Sequence, residues 1–375
     1  MTDPSALRGV VRRIAGAELP GTAQGPPASV PSEQWRSLLE RVVLERLSGF
    51  AVEAARGGWL ALTDEQYGEL LDRHRDAMAW TITIEQTLLE VAESLEDRDI
   101  HPVVLKGVAV AHTLYPDPSW RAFRDLDILV RPGQWRAACS ALEARGVERR
   151  FPEPRPRFDE RFSKAAVYKD HRGVEIDLHR TLALGPFARR IDTEELFAGA
   201  RTLHVGGRSL RRPDDTALLL HACIHASLGW APPELLSLRD VAQLATCGEV
   251  DWSRFERLVD RWRIRAVIGH AFTSAVEAFG PILPPTAGPF IEARIPARER
   301  RALSAYTTDR RWRGGAVRTT MLSLPGVRAK AAYLYALVFP RREYVRAKWG
   351  DARRAPYWRR WTVPLRWMRR PERRS

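Results

Sequence analysis

Two acidic residues, Asp125 and Asp127, sit in an apolar run that continues through Ile128, Leu129 and Val130. Fifty residues after Asp127, Asp177 lies in a second apolar run, Val174 to Leu178, followed by His179. Residues two apart on a β-strand share a face. The spacing therefore predicts that Asp125 and Asp127 point the same way, and that Glu175, Asp177 and His179 share a face of their own strand. Ionised carboxylates in apolar strands are costly without partners. If the two strands face one another, three carboxylates converge, and they repel unless a cation lies between them. An oxygen-only set suits Mg²⁺ or Mn²⁺, with substrate phosphates completing the metal shell. The chemistry that follows is phosphoryl or nucleotidyl transfer. The bland alternative is an Asp-x-Asp at a solvated strand end; the flanking apolar residues argue against it.

The residues upstream fit the same reading. Val103 to Leu105 reads as a short strand, ends in Lys106 and Gly107, and gives way to a helix from Val108 to Leu114. A strand that turns through glycine into a helix leaves backbone N–H groups aimed at an anion. Lys106 adds a point charge. Arg121 and Arg124 bracket the approach to the acids and are candidates for binding a triphosphate, or else salt-bridge partners of those acids. Glu175 is a candidate additional ligand. His179 is a candidate for orienting Asp177 or touching a base, with a structural hydrogen bond as the alternative.

These residues also carry a resemblance. Leu105-Lys106-Gly107, Leu114 to Pro118, Arg121 with Arg124-Asp125-Leu126-Asp127, and Glu175 to His179 resemble the bacterial uncharacterised nucleotidyltransferase family. That family is a branch of the DNA polymerase β-like nucleotidyltransferase superfamily. The resemblance implies that Asp125 and Asp127 bind metal and that Asp177 helps activate the attacking hydroxyl. It is specific over about residues 100–180. The Lys106-Gly107 turn lacks the serine the superfamily usually carries there, and the gap to Asp125 is longer than usual. The expected fold is α+β: a small mixed β-sheet nucleotidyltransferase core flanked by N-terminal and C-terminal helical regions.

Patterning along the chain divides it into five stretches. Residues 1–31, rich in Pro, Gly and Ala, read as a flexible arm. Residues 32–99 read as helical, with one helix from Ser32 to about Ala55 and another capped by Thr63 and Gln66 and running to about Glu96. Residues 100–210 alternate strands and helices and form the catalytic core. A turn at His171 to Gly173 predicts a hairpin that carries Asp177 back beside the Asp-x-Asp strand. Residues 211–340 are helical again. There His221 and His225, four apart, share a helix face; a buried pair is favoured over a Zn²⁺ site because no third soft ligand accompanies them. His225 and Asp240 are candidates for base or substrate contact across the cleft.

Residues 341–375 form a basic tail. It holds thirteen Lys or Arg against three acids, and so most of the chain's net charge of +14. Trp349, Trp358, Trp361 and Trp367 are interleaved with them. Such a tail can contact nucleic acid or an anionic membrane, or simply pack on the domain. The cysteines, Cys139, Cys223 and Cys247, form neither metal spacing nor disulfide framework. With no leader-like start and no apolar run near the ~20 residues that span a bilayer, the expectation is a cytoplasmic protein, peripheral at the membrane if the tail binds lipid. The expected activity is Mg²⁺-dependent transfer of a nucleoside monophosphate from an NTP, with release of pyrophosphate. The acceptor is a hydroxyl or phosphate on a small molecule, peptide, sugar or lipid intermediate, tRNA or protein; the sequence does not choose. The alternative is a catalytically silent NTP-binding or scaffolding module.

Overall fold

The structure, a computed structural model, describes residues 4–22, 26–229, 231–307 and 313–349. At its centre is a five-stranded sheet. The strands run in the order Val103–Val104, Asp125–Leu129, Glu175–His179, Ala165–Lys169, Glu148–Arg149. Only the second and third are parallel to each other; the other neighbours are antiparallel. The expected mixed sheet is therefore present, and the hairpin at Asp170 to Gly173 does return Glu175–His179 beside the Asp-x-Asp strand. A separate hairpin, Arg201–Val205 with Arg208–Arg212, turns at Gly206 and Gly207. The apolar pattern at Thr202 to Val205 marks its first strand; the second, Arg208–Arg212, carries too many arginines to stand out in the sequence.

Helix Asp64–Glu96 runs for 33 residues. Its start is fixed by Thr63 and Gln66 in a reciprocal capping box, which satisfies two otherwise orphaned N–H groups. Ile84, Leu88, Val91 and Leu95 recur at helical spacing and are all buried, so one stripe packs on the sheet side. Truncating any of these to Ala removes about 2–5 kcal/mol.

Two N-terminal expectations are corrected. Residues 4–15 are a helix, not an arm, with Val11, Ile14 and Ala15 in the core. The stretch expected as one helix from Ser32 is two, Ser32–Leu44 and Ser48–Arg56. Arg46 between them has φ +60°, which an α-helix cannot contain. The break lets the second helix meet the loop before the Asp-x-Asp strand. Gly49 is required there, because a Cβ would fall 2.5 Å from the Trp120 backbone.

The C-terminal region is helical, as expected. Helix Asp215–Leu228 packs against Leu235–Cys247 and Arg265–Phe279 and touches helix Lys106–Leu114. No described helix is long and apolar enough to cross a membrane. Of the tail, residues 342–349 are helical; residues 350–375, with Trp358, Trp361 and Trp367, lie outside the described residues.

Candidate active site

Parallel pairing sets the geometry. Asp127 lies directly across from Asp177, and Asp125 across from Glu175. Asp127 is the most enclosed of the acids. His179 lies two residues beyond Asp177, and its Nε2–H donates to Asp127 Oδ1 at 2.8 Å. Its Nδ1 is 3.4 Å from the Thr181 carbonyl. His179 therefore holds Asp127, not Asp177. Asp127, Asp177 and His179 bring one ligand atom each within 4.8 Å of one another. Asp125 stands at the strand's outer end, with its side chain one-third exposed.

Lys106 closes the group. Its Nζ lies 2.5 Å from Asp127 Oδ2 and 3.4 Å from Asp125 Oδ2. Burial alone would lower this lysine, but Asp127 and Asp125 outweigh it and hold the ammonium above its usual range. Asp127 shows the complementary balance. Burial raises its carboxyl, and Lys106 and His179 more than reverse that, leaving it well below the usual range. Asp177 is pushed up, first by burial and then by the charge of Asp127. One buried carboxylate is thus held ionised, while its neighbour has a raised affinity for a proton.

Lys106 begins helix Lys106–Leu114, whose second residue, Gly107, has φ +27°. A side chain at that φ is strained; the residue just before the kink, Lys106, is the one that reaches the acids.

Two sequence-predicted phosphate ligands are engaged elsewhere. Arg121 forms a two-pronged pair with Asp240, Nε to Oδ1 at 3.0 Å and Nη2 to Oδ2 at 2.6 Å. The Tyr115 hydroxyl also donates to Asp240 Oδ1, at 3.0 Å. Asp240 is thereby held by Arg121 and Tyr115. Arg124 donates to the carbonyls of Val43 and Leu44 at 2.9 and 3.2 Å, where they end helix Ser32–Leu44. Glu175 pairs with Arg150 at the surface and is not in the ligand cluster.

Three further groups reach the site. Lys164, just before strand Ala165–Lys169, feels Asp127, Asp177, Asp125 and Lys106. Burial lowers its pKa, and its ammonium makes no ion pair or hydrogen bond among the described residues. Arg46 pairs with Glu234 at 2.5 Å and interacts with Asp125, Arg121 and Arg124. His221 and His225 form one wall of a small cavity with Lys106, Val110, Ser237 and Asp240. Burial, with nearby His179 next, depresses His221 to about 3; burial, then Lys106, depresses His225 well below its usual range. His221 is buried, as expected, but its Nδ1 has no hydrogen-bond partner among the described residues.

The residues fit a divalent cation. Asp127, Asp177 and His179 bring ligand atoms together, and a cation, the Lys106 ammonium, already bridges Asp127 and Asp125. A mixed sheet with this acid pair, a third acid on the parallel neighbour and a kinked glycine turn at a helix start is the arrangement of a nucleotidyltransferase. The family model for an uncharacterised nucleotidyltransferase matches residues 31–280, and the chain belongs to that family. It is accordingly a transferase of the nucleotidyl class. No curated protein matches. Among solved structures, the antibiotic-resistance factor ANT(2'')-Ia is similar at 15% identity, over 52% of this chain and 98% of that one, with a TM-score of 0.35. An antigenic nucleotidyltransferase-like protein from Paracoccidioides brasiliensis is similar at 15% identity, over 52% and 92% of the two chains, with a TM-score of 0.32.

Proposed function

We propose that the protein moves a nucleoside monophosphate from an NTP to a hydroxyl or phosphate of an acceptor, releasing pyrophosphate. The observation that carries this is the parallel register that sets Asp127 opposite Asp177, with Asp125 two residues before. Asp125, Asp127 and Asp177 would hold Mg²⁺ or Mn²⁺, which supplies Lewis-acid polarisation of the reacting phosphate. Asp177, with its raised proton affinity, positions the acceptor group and takes its proton. Lys106 leaves the acid pair for the departing phosphates, and the first N–H groups of helix Lys106–Leu114 would add donors to them. Lys164, which makes no ion pair or hydrogen bond among the described residues and lies near Asp127 and Asp177, is placed to meet the same developing charge. Arg46, which interacts with Asp125, supplies the outer phosphate contact; Arg124, held by the Val43 and Leu44 carbonyls, and Arg121, paired with Asp240, brace that side of the site. His179 keeps Asp127 oriented.

Incubation of the purified protein with each radiolabelled NTP, Mg²⁺ and cell extract tests this. Label transferred to an extract component by wild type and lost in Asp125→Asn/Asp127→Asn is the expected result. Equal labelling by the double variant overturns the assignment. Metal-dependent NTP binding with no turnover across the extract would return the silent-module alternative.

A further inference from the structure

Helix Gly326–Val338 is apolar on two opposite sides. Its inner side packs: the Tyr333 ring is stacked 5.9 Å from Phe158 and edge-on 5.3 Å from Phe162, and Ala336 is buried. Its outer side is open. Val327 is 82% exposed, Leu334 39% exposed, Ala331 is exposed and Val338 half-buried. At 100° per residue these four fall on one stripe. Tyr335 and Phe339, whose rings touch at 5.5 Å, extend it and are about half exposed. A packed helix needs only one apolar side, and a second, contiguous and exposed apolar patch marks a contact surface.

Charge identifies the contact. Arg328 and Lys330 lie on either side of the stripe, and exposed Arg341 and Arg342 follow the helix. Residues 350–375 add nine Arg against two acids. That segment folding back would therefore set positive charge against positive charge, and so would the same face of a second copy. A nucleic acid would satisfy the arginines but offers nothing to a row of aliphatic side chains. We propose that this face docks on an anionic lipid surface. The stripe Val327, Ala331, Leu334 and Val338 enters the boundary between headgroups and acyl chains, and the flanking basic residues reach the lipid phosphates. The contact lies outside the transfer site and stands independently of it.

Flotation of the full chain with vesicles tests the proposal, using phosphatidylcholine alone and phosphatidylcholine with phosphatidylglycerol, at low and high salt, beside Val327→Glu/Leu334→Glu. Wild type is expected to float with the anionic vesicles, poorly with neutral ones, and less in high salt. The double variant, with unchanged circular dichroism, is expected to bind about tenfold more weakly or worse. A polarity-sensitive fluorophore on Leu334→Cys, in a Cys247→Ser background, keeps a folding defect apart from a lost contact; its emission should shift to the blue on anionic vesicles. Equal flotation of the double variant, or no blue shift, overturns the proposal. So does a wild type that ignores vesicles but forms a dimer split by Val327→Glu/Leu334→Glu, or one that binds RNA and not lipid.

Discussion

Lys106 lies 2.5 Å from Asp127 Oδ2, where it does the work of a bound cation. A metal held there would compete with the lysine for the same carboxylate oxygen, and the ammonium would need another anion on leaving. The NTP phosphates provide one, so metal and nucleotide should bind cooperatively. Removing a unit charge about 4 Å away is worth several kcal/mol even at an intermediate effective dielectric. Lys106→Met is expected to bind Mn²⁺ about tenfold tighter or more in the absence of nucleotide, and NTP more weakly. Paramagnetic resonance titration of Mn²⁺ measures the first and a nucleotide-binding isotherm the second. Unchanged Mn²⁺ affinity would sink the competition.

Asp125 and Asp127 should separate activity from stability. Asp125→Asn should cut transfer by about a hundredfold or more while leaving the melting temperature nearly in place, since its side chain is partly solvated. Asp127→Asn should cut activity similarly and also cost about 3–5 kcal/mol, because it leaves Lys106 and His179 buried without their anion. Thermal melts beside label-transfer rates check both; equal stability losses would show that Asp125 is structural too.

Arg121 and Asp240 are predicted to act as a brace. Asp240→Asn should destabilise the fold by about 3–5 kcal/mol. In a double-mutant cycle with Arg121→Met, the combined loss should be well below the sum of the single losses. Urea unfolding of the four proteins gives the coupling. Additive losses would mean that Arg121 has its main partner elsewhere, the triphosphate included.

His221 and His225 should make the fold acid-sensitive before the carboxylates titrate. Their folded pKa values lie below the unfolded value of about 6.5. The unfolded chain then binds more protons, and stability falls as pH drops below about 6.5, continuing toward about 3 for His221. Each histidine contributes about 1.4 kcal/mol per pH unit within that window. The urea midpoint of wild type should drop between pH 7 and pH 5 (about two histidines' worth), and His221→Gln/His225→Gln should flatten the slope. A wild-type midpoint that holds level to pH 5 would contradict the assignment.

The acid strands were legible because each is a local pattern: carboxylates alternating inside β-branched and aliphatic residues, with a turn between Lys169 and Val174 to set the register. The Thr63–Gln66 cap is local too. What the sequence hid depends on partners far along the chain. Nothing around Arg121 signals that Asp240 will claim it, 119 residues away. Lys164 precedes an ordinary edge-to-centre strand, and only the sheet order turns it toward the acids. Arg46 reads as one more helical arginine until the break at φ +60° aims it at Asp125 and Glu234. The first helix was obscured by the Pro- and Gly-rich residues that follow it, although Val10, Val11 and Ile14 hold helical spacing.

Arg239 is fully buried, stacks over Phe50 and Tyr115, and donates to the carbonyls of Ala15 and Ala17, more than 220 residues before it. During synthesis the opening segment therefore waits, its last carbonyls unclaimed, until most of the chain has left the ribosome. A closure of such span is slow to find. A protein shortened by its first 17 residues would strand a guanidinium in the core, so trimming what looks like a dispensable leader should give aggregates instead of a smaller enzyme.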